Sequence, residues 1–323
     1  LLQCTPGLAR LAGSARGGAT EATHRLCRER EKKGGNGCKK RSWAACGDVQ
    51  RLKRGKGGWT MAASISYRPR ALAKPSSAVP SESEIMQVRG GRPATQFRPT
   101  HMKVGVVGRA VGSAYVEAGG TKIIAAVYGP RQTEKATYSE KGRLKCDLRY
   151  TSVASPDPQR HARSTEEKEP SLQVHRALEV SVRLEKYPKS VIDVFIMVLD
   201  GDGGVLPLAI TCGSLALAHA GIEMFDLVAA CSATSIAQSI YLDPTVTEET
   251  RAVAQAVRRA EGEEAGSIGG SATLATMPSL GRVTLLAQAG EIPVAVLTTT
   301  IAQLEEGCRQ ILRKQRAVLC AAA

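Results

Sequence analysis

Residues Val191–Asp226 read VIDVFIMVLDGDGGVLPLAITCGSLALAHAGIEMFD, an apolar strand that runs straight into an apolar helix. Val191 to Leu199 is apolar at almost every position, which predicts a central strand covered on both faces. Asp200-Gly201-Asp202-Gly203-Gly204 then breaks the run, its glycines permitting a tight reversal. The eighteen residues from Val205 to Ile222 carry no Asp, Glu, Lys or Arg, a length that raises the question of a membrane span. Thr211, Cys212, Gly213, Ser214 and His219 dilute the run, Pro207 suits the first turn of a helix and Gly221 its end. The reading is therefore a buried core helix and no membrane contact.

Outward from this stretch, charge is the most informative bulk property. The 323 residues carry a net charge of +14, but residues 1–100 hold 20 Lys+Arg against 6 Asp+Glu while residues 101–323 hold 24 of each. The basic excess thus belongs to the first third, and any contact with nucleic acid by the remainder must come from local patches rather than a global field. The nine cysteines form no CxxC or CxxxC pair, which removes the usual zinc spacings. Cys212, Cys231 and Cys308 fall at core positions of apolar runs, as small hydrophobes in a reducing compartment would.

Residues 1–95 are expected to be a disordered basic tail, Gly-rich and then Pro/Ser/Ala-rich, and residues 96–323 a folded domain. Met61-Ala62-Ala63-Ser64 reads as a protein start, so the first sixty residues are expected to be upstream sequence. The Arg-, Ser- and Ala-rich composition after Met61 also fits a targeting segment, with a plain flexible tail the stronger reading.

From His101 the pattern changes to short strands: Lys103–Val107, Gly112–Glu117, Thr121–Tyr128, and Arg143–Tyr150, the last with a mostly basic outer face. A helix is predicted from Pro170 to Lys186 with Leu172, Val174, Leu178 and Val182 inward. After the central stretch come a strand at Leu227–Thr234, a charged helical segment at Thr247–Glu264, and strands at Ala272–Met277 and Arg282–Gln288. Thr300-x-x-Gln303 reads as a capping box opening the last helix, which places Leu304, Cys308, Ile311 and Leu312 on one face. Strands then helix, twice over, give an α+β domain of two similar halves around a central sheet.

No dinucleotide, Walker, HExxH or GxSxG pattern occurs. The histidines, among them His175 and His219, share no ligand spacing, so neither a metal nor a cofactor is expected. Asp200 and Asp202 are the only carboxylates at the mouth of the central strand. They read either as an acid site acting on phosphate or as turn and N-cap chemistry, the second being favoured by composition alone.

Four ordered blocks resemble the RNase PH family: GSAYVEAGGTKIIAAVYGPRQ (Gly112–Gln132), RLKCDLRY (Arg143–Tyr150), VIDVFIMVLDGDGG (Val191–Gly204) and LALAHAGIEMFDLVAACSA (Leu215–Ala233). The segments LEKYPKSVIDV (Leu184–Val194) and YLDPT (Tyr241–Thr245) incline it to the exosome ring subunits of eukaryotes. The resemblance implies an RNase PH-like fold and a six-membered ring. It further implies other RNase PH-like ring subunits, OB-fold and KH-type cap proteins and RNA as partners, and a nuclear, nucleolar and cytoplasmic location.

Active relatives shorten RNA from its 3′ end by phosphorolysis, and their pattern pairs two acids. Asp202 matches the second, but Met197 falls where the first is expected. Their phosphate-gripping arginine falls near Glu166. At about 4 Å and an effective dielectric near 20 a unit charge pair is worth roughly 4 kcal/mol, so an acid in place of that arginine shifts phosphate binding by about twice as much. The resemblance therefore implies a subunit without catalysis, Asp202 being a vestige, in which Arg143, Lys145, Arg149, Arg160 and Arg163 contact RNA phosphates. The alternatives are an active phosphate-dependent exoribonuclease and a free-standing RNA-binding protein that uses its basic tail.

Overall fold

The computed structural model describes residues 89, 91–132, 140–151, 154, 165–236, 239–260 and 269–322. Most of the expected tail therefore lies outside the described residues, but its last part is packed: Arg89 is buried and donates to Glu248 at 2.5 Å.

Among the described residues nine strands and four α-helices follow one another in the expected order, with the strand Ser239–Leu242 added to those the sequence predicted. The first sheet contains β1 (Thr100–Val104), β2 (Gly112–Ala118), β3 (Thr121–Gln132), β4 (Arg143–Tyr150) and β5 (Ser190–Asp200), in spatial order β1-β2-β3-β5-β4. Within it the β4–β5 pair is parallel and the other pairs are antiparallel. Between those two strands lies α1 (Thr165–Glu179), and after β5 comes α2 (Val205–His219). The second sheet is antiparallel, ordered β7-β6-β8-β9, from β6 (Ala229–Ile236), β7 (Ser239–Leu242), β8 (Gly269–Met277) and β9 (Arg282–Gly290). Its helices are α3 (Val246–Ala260) and α4 (Val294–Ala322).

The predicted core helix is α2. Every residue from Leu206 to Leu217 is buried, against β2 and β3 of one sheet and β6 of the other. Each large aliphatic side chain buried this way contributes about 1.5–3 kcal/mol, which is why a charge-free run forms the centre. The helix ends as predicted, with Gly221 at a φ of 69° just past it, the left-handed turn that glycine tolerates best. Among the described residues no helix is long and apolar enough to cross a membrane. Cys212, Cys231 and Cys308 are buried free thiols.

Three local expectations are corrected. The first concerns α1, which begins at Thr165 with Pro170 inside it and ends at Glu179. The acidic run from Glu166 to Glu169 suits a helix N-terminus and outweighs the proline as the start. Leu172 faces outward, while Val174, Leu178 and Val182 are buried as expected. The second concerns Thr300, which does not cap: α4 starts upstream at Val294, and the Thr300 hydroxyl donates to the Val296 carbonyl at 2.8 Å. A mid-helix threonine can satisfy its hydroxyl on the preceding turn, so the sequence pattern matched without the cap forming.

The third concerns β5, which is interior to its sheet but, among the described residues, only partly covered on its second face, where Val191 and Asp193 are buried. Ile192, Val194, Ile196 and Val198 point into the core, whereas Phe195 is 45% and Met197 48% exposed. Cross-strand register puts Tyr115, Ile124, Met197 and Arg149 in one row of the open face and Ser113, Ala126, Phe195 and Asp147 in the next. An apolar pattern reports side-chain chemistry, not whether a layer of the same chain lies over it.

Candidate functional site

The turn between β5 and α2 carries the candidate acids, and its shape is imposed from outside. Gly203 has a φ of 79°, and a Cβ there would lie 2.6 Å from the Pro244 carbonyl oxygen. Only glycine lets this turn pack on the Asp243-Pro244-Thr245 segment that leads from β7 into α3. On the other side the Asp202 N–H donates to Thr121 Oγ1 at 3.1 Å, and the Thr121 hydroxyl donates to the Gly203 carbonyl at 2.8 Å.

Neither acid caps α2. The N-cap is Gly204, which makes no side-chain capping bond, so the turn-and-cap reading of the two aspartates holds only for the turn. Asp200 accepts the N–H of Gly201 at 2.9 Å. The Asp202 side chain is 47% exposed, with a carboxylate oxygen 3.8 Å from Arg98 Nη1.

Arg98 organises the site. Its guanidinium donates to the carbonyls of Asp202 at 2.7 Å and Gly203 at 3.3 Å, and grips both carboxylate oxygens of Asp243 at 2.7 and 3.0 Å. Burial works against the guanidinium charge, but the Asp243 hydrogen bonds and the nearby carboxylates outweigh it and raise its pKa. Burial likewise works against the Asp243 carboxylate. The two bonds and charge of Arg98 overcome this, and its pKa falls below the ordinary value. Glu249, in the first turn of α3, accepts the Gly204 N–H at 2.9 Å. Burial of its carboxylate pushes its pKa up to about 7, against the pull of that N–H and of Arg98.

The predicted site residues divide accordingly. Arg143, Lys145 and Arg149 do share the exposed edge of β4. Arg149 is turned back on Asp147 at 3.0 Å, whereas Arg143 and Lys145 have no ion pair among the described residues. Lys145 borders a cavity of about 510 Å³ that also meets Lys168, His175, Asp193 and Phe195. Met197 stands beside Arg149 in the β4–β5 register, with a neutral, exposed side chain. Glu166 lies in the first turn of α1; its side chain, Arg160 and Arg163 lie outside the described residues.

Sequence reasoning missed Arg98, Asp243 and Glu249, whose partners are far apart in the chain. The one local signal among them was Asp243-Pro244, a pair that favours turn initiation. Among the described residues no group of three or more His, Cys, Asp or Glu side chains is placed to hold a metal ion.

Known proteins share both the sequence and the fold. Residues 96–223 match the family model described as 3′ exoribonuclease family, domain 1. The chain is 40% identical over 232 residues to an exosome complex component RRP41-like protein of Arabidopsis thaliana, covering 71% of this chain and 83% of that one. It is 36% identical over 239 residues to exosome complex component MTR3 of Homo sapiens, covering 69% and 82% respectively. Among solved structures it is similar to Rrp46 of rice (Oryza sativa), with a TM-score of 0.58, 24% identity, and coverage of 71% of this chain and 99% of that chain. This last likeness bears on the fold, and the expected RNase PH-like α+β arrangement is what it shows.

Proposed function

The chain belongs to the RNase PH family of 3′ exoribonucleases, and on that premise we propose that it is a non-catalytic subunit of an RNA exosome ring. The observation that carries this reading is the pairing of Met197 with Asp202. An uncharged side chain, 48% exposed on the open sheet face, stands where the family pattern implies the first acid, while Asp202, which matches the second, lies at Arg98. Without an acid at position 197 the family's acid pair lacks its first member, and general acid–base chemistry through that pair lacks its second group. Glu166, near the expected phosphate-gripping position, supports the same reading. The similarity to exosome components from a plant and a mammal supports membership of the ring.

In this reading the protein completes the ring, meets OB-fold and KH-type cap proteins, and offers Arg143, Lys145, Arg149, Arg160 and Arg163 to RNA phosphates during 3′-to-5′ processing and degradation. Its location is nuclear, nucleolar and cytoplasmic. The test is native mass spectrometry of the complex purified from its own cells through a tag on this chain. The reading requires one copy of this chain with other RNase PH-like chains in a six-membered assembly; recovery of the chain alone contradicts it.

A further inference from the structure

We propose that Cys231 and Cys308 are an oxidisable dithiol, which a hydroperoxide converts to a disulfide that ties α4 to β6. The proposal stands apart from the ring reading above and from the turn that carries Asp202.

Two periodicities bring the pair together. Along β6 the alternate residues Ala229, Cys231 and Ala233 turn to one apolar cluster, and Leu304, Cys308 and Leu312, each about one helical turn from the next, reach it from α4. There the two thiols hydrogen-bond to one another, 2% and 0% exposed. Gly307 allows the close approach: a Cβ at that position would lie 2.4 Å from Phe97 Cζ and 3.1 Å from the Cys231 sulfur. A helix held this near the strand suits a disulfide, whose bridged Cα atoms stand about 5.5–6 Å apart.

The two sulfurs are unequal. The hydrogen bond from Cys231 outweighs burial at Cys308 and, with a further one from the Thr276 side chain, lowers the Cys308 pKa. Burial, then the bond and charge of Cys308, raise that of Cys231. Cys308 is thus the thiol that reacts first, because the thiolate is the nucleophile. Burial pushes Cys146 and Cys212 up to about 12, and these stay protonated and inert. Phe97, half-buried, packs on the cluster beside Gly307, so displacement of one side chain admits a molecule as small as hydrogen peroxide.

The steps balance with hydrogen peroxide as the oxidant. The Cys308 sulfur attacks one peroxide oxygen, the O–O bond breaks, and the departing hydroxide takes the thiol proton, leaving a sulfenic acid and water. The Cys231 sulfur then attacks the Cys308 sulfur and forms the S–S bond. The S–O bond breaks, and the hydroxide leaves as water with the Cys231 proton. The link closes the long loop that holds β7, α3, β8 and β9, which stabilises the fold mainly by constraining the unfolded chain.

The experiment treats the folded full chain, first reduced, with hydrogen peroxide, unfolds it in excess alkylating agent and maps its cysteines by non-reducing peptide mass spectrometry. The expected product is a peptide pair joined at Cys231 and Cys308, lighter by two hydrogens, reversed by dithiothreitol, with a melting temperature several degrees above the reduced chain. Alkylation of both cysteines at a peroxide dose that oxidises the exposed Cys320 overturns the proposal. A link formed only in urea, or pairing of either cysteine with any other, overturns it as well. Cys308→Ala, checked for folding by circular dichroism, is expected to show no rise in melting temperature on peroxide treatment; an equal rise in that variant contradicts the assigned link.

Discussion

Arg98 and Asp243 lie 145 residues apart in sequence, yet the guanidinium holds both carboxylate oxygens of the aspartate at 2.7 and 3.0 Å. The same guanidinium reaches the Asp202 and Gly203 carbonyls, so one ion pair ties the β5–α2 turn of the first half to the β7–α3 turn of the second. Removing one partner of a buried pair leaves the other charge uncompensated, at about 3–5 kcal/mol. Arg98→Ala is therefore expected to lower unfolding free energy by about that much in urea titration. Arg98→Lys should recover only part of it, because an ammonium cannot reproduce the two-pronged grip.

Glu249 should make stability depend on pH in an unusual direction for an acid. Below its ordinary value of 4.5 both folded and unfolded states hold the proton; between there and about 7 the unfolded chain has released it while the fold retains it. Stability therefore falls as pH rises through that window, by about 3 kcal/mol, and levels off above it. Asp243, held below its ordinary pKa, acts oppositely and loses its contribution as pH falls into the acid range below that window. Glu249→Gln is expected to flatten the dependence between pH 4.5 and 7 and to stabilise the chain at pH 8. An unchanged slope of melting temperature against pH in that variant would show that another group titrates.

Two glycines with similar backbones separate strain from crowding. Gly203 and Gly221 have φ of 79° and 69°, but an added Cβ meets the Pro244 carbonyl at 2.6 Å in the first case and nothing within 4 Å in the second. Gly221→Ala should cost about 1–2 kcal/mol, the strain of a left-handed residue alone. Gly203→Ala adds overpacking of about 1–3 kcal/mol and should melt at a clearly lower temperature than Gly221→Ala.

The fold was legible where chemistry was local. The charge-free run from Val205 to Ile222 could only be a core or a membrane helix, and polar dilution chose between them. The alternation in β4 set Leu144 and Leu148 inward and the basic residues outward. What the sequence did not carry was the exposure of β5's second face: Phe195 and Met197 look like core residues in an apolar run, yet among the described residues both are about half exposed. Arg98 was invisible for a similar reason, since a buried arginine is recognised by its partner and Asp243 lies in the other half. The candidate acid site was legible as a turn with two aspartates, but its hold on Asp202 came through backbone carbonyls, which every residue has. β7, four residues long, was too short to show a period.

If the basic edge of β4 contacts RNA as proposed, a salt effect follows. In an assembled ring, Arg143→Glu with Lys145→Glu should weaken single-stranded RNA binding and reduce the slope of log affinity against log salt by about 1 for each phosphate no longer neutralised. Ring assembly should be unchanged. A normal salt slope in the double variant would place the RNA elsewhere.

The proposed absence of chemistry at Met197 and Asp202 is tested most directly by one assay: release of nucleoside diphosphates from single-stranded RNA in phosphate buffer, by the purified chain and by the chain within its ring. No release by the chain alone is expected, and no change in release by the ring when Asp202 is replaced by Ala. Phosphate-dependent shortening of RNA by the wild-type chain, abolished by Asp202→Ala, would contradict the non-catalytic reading.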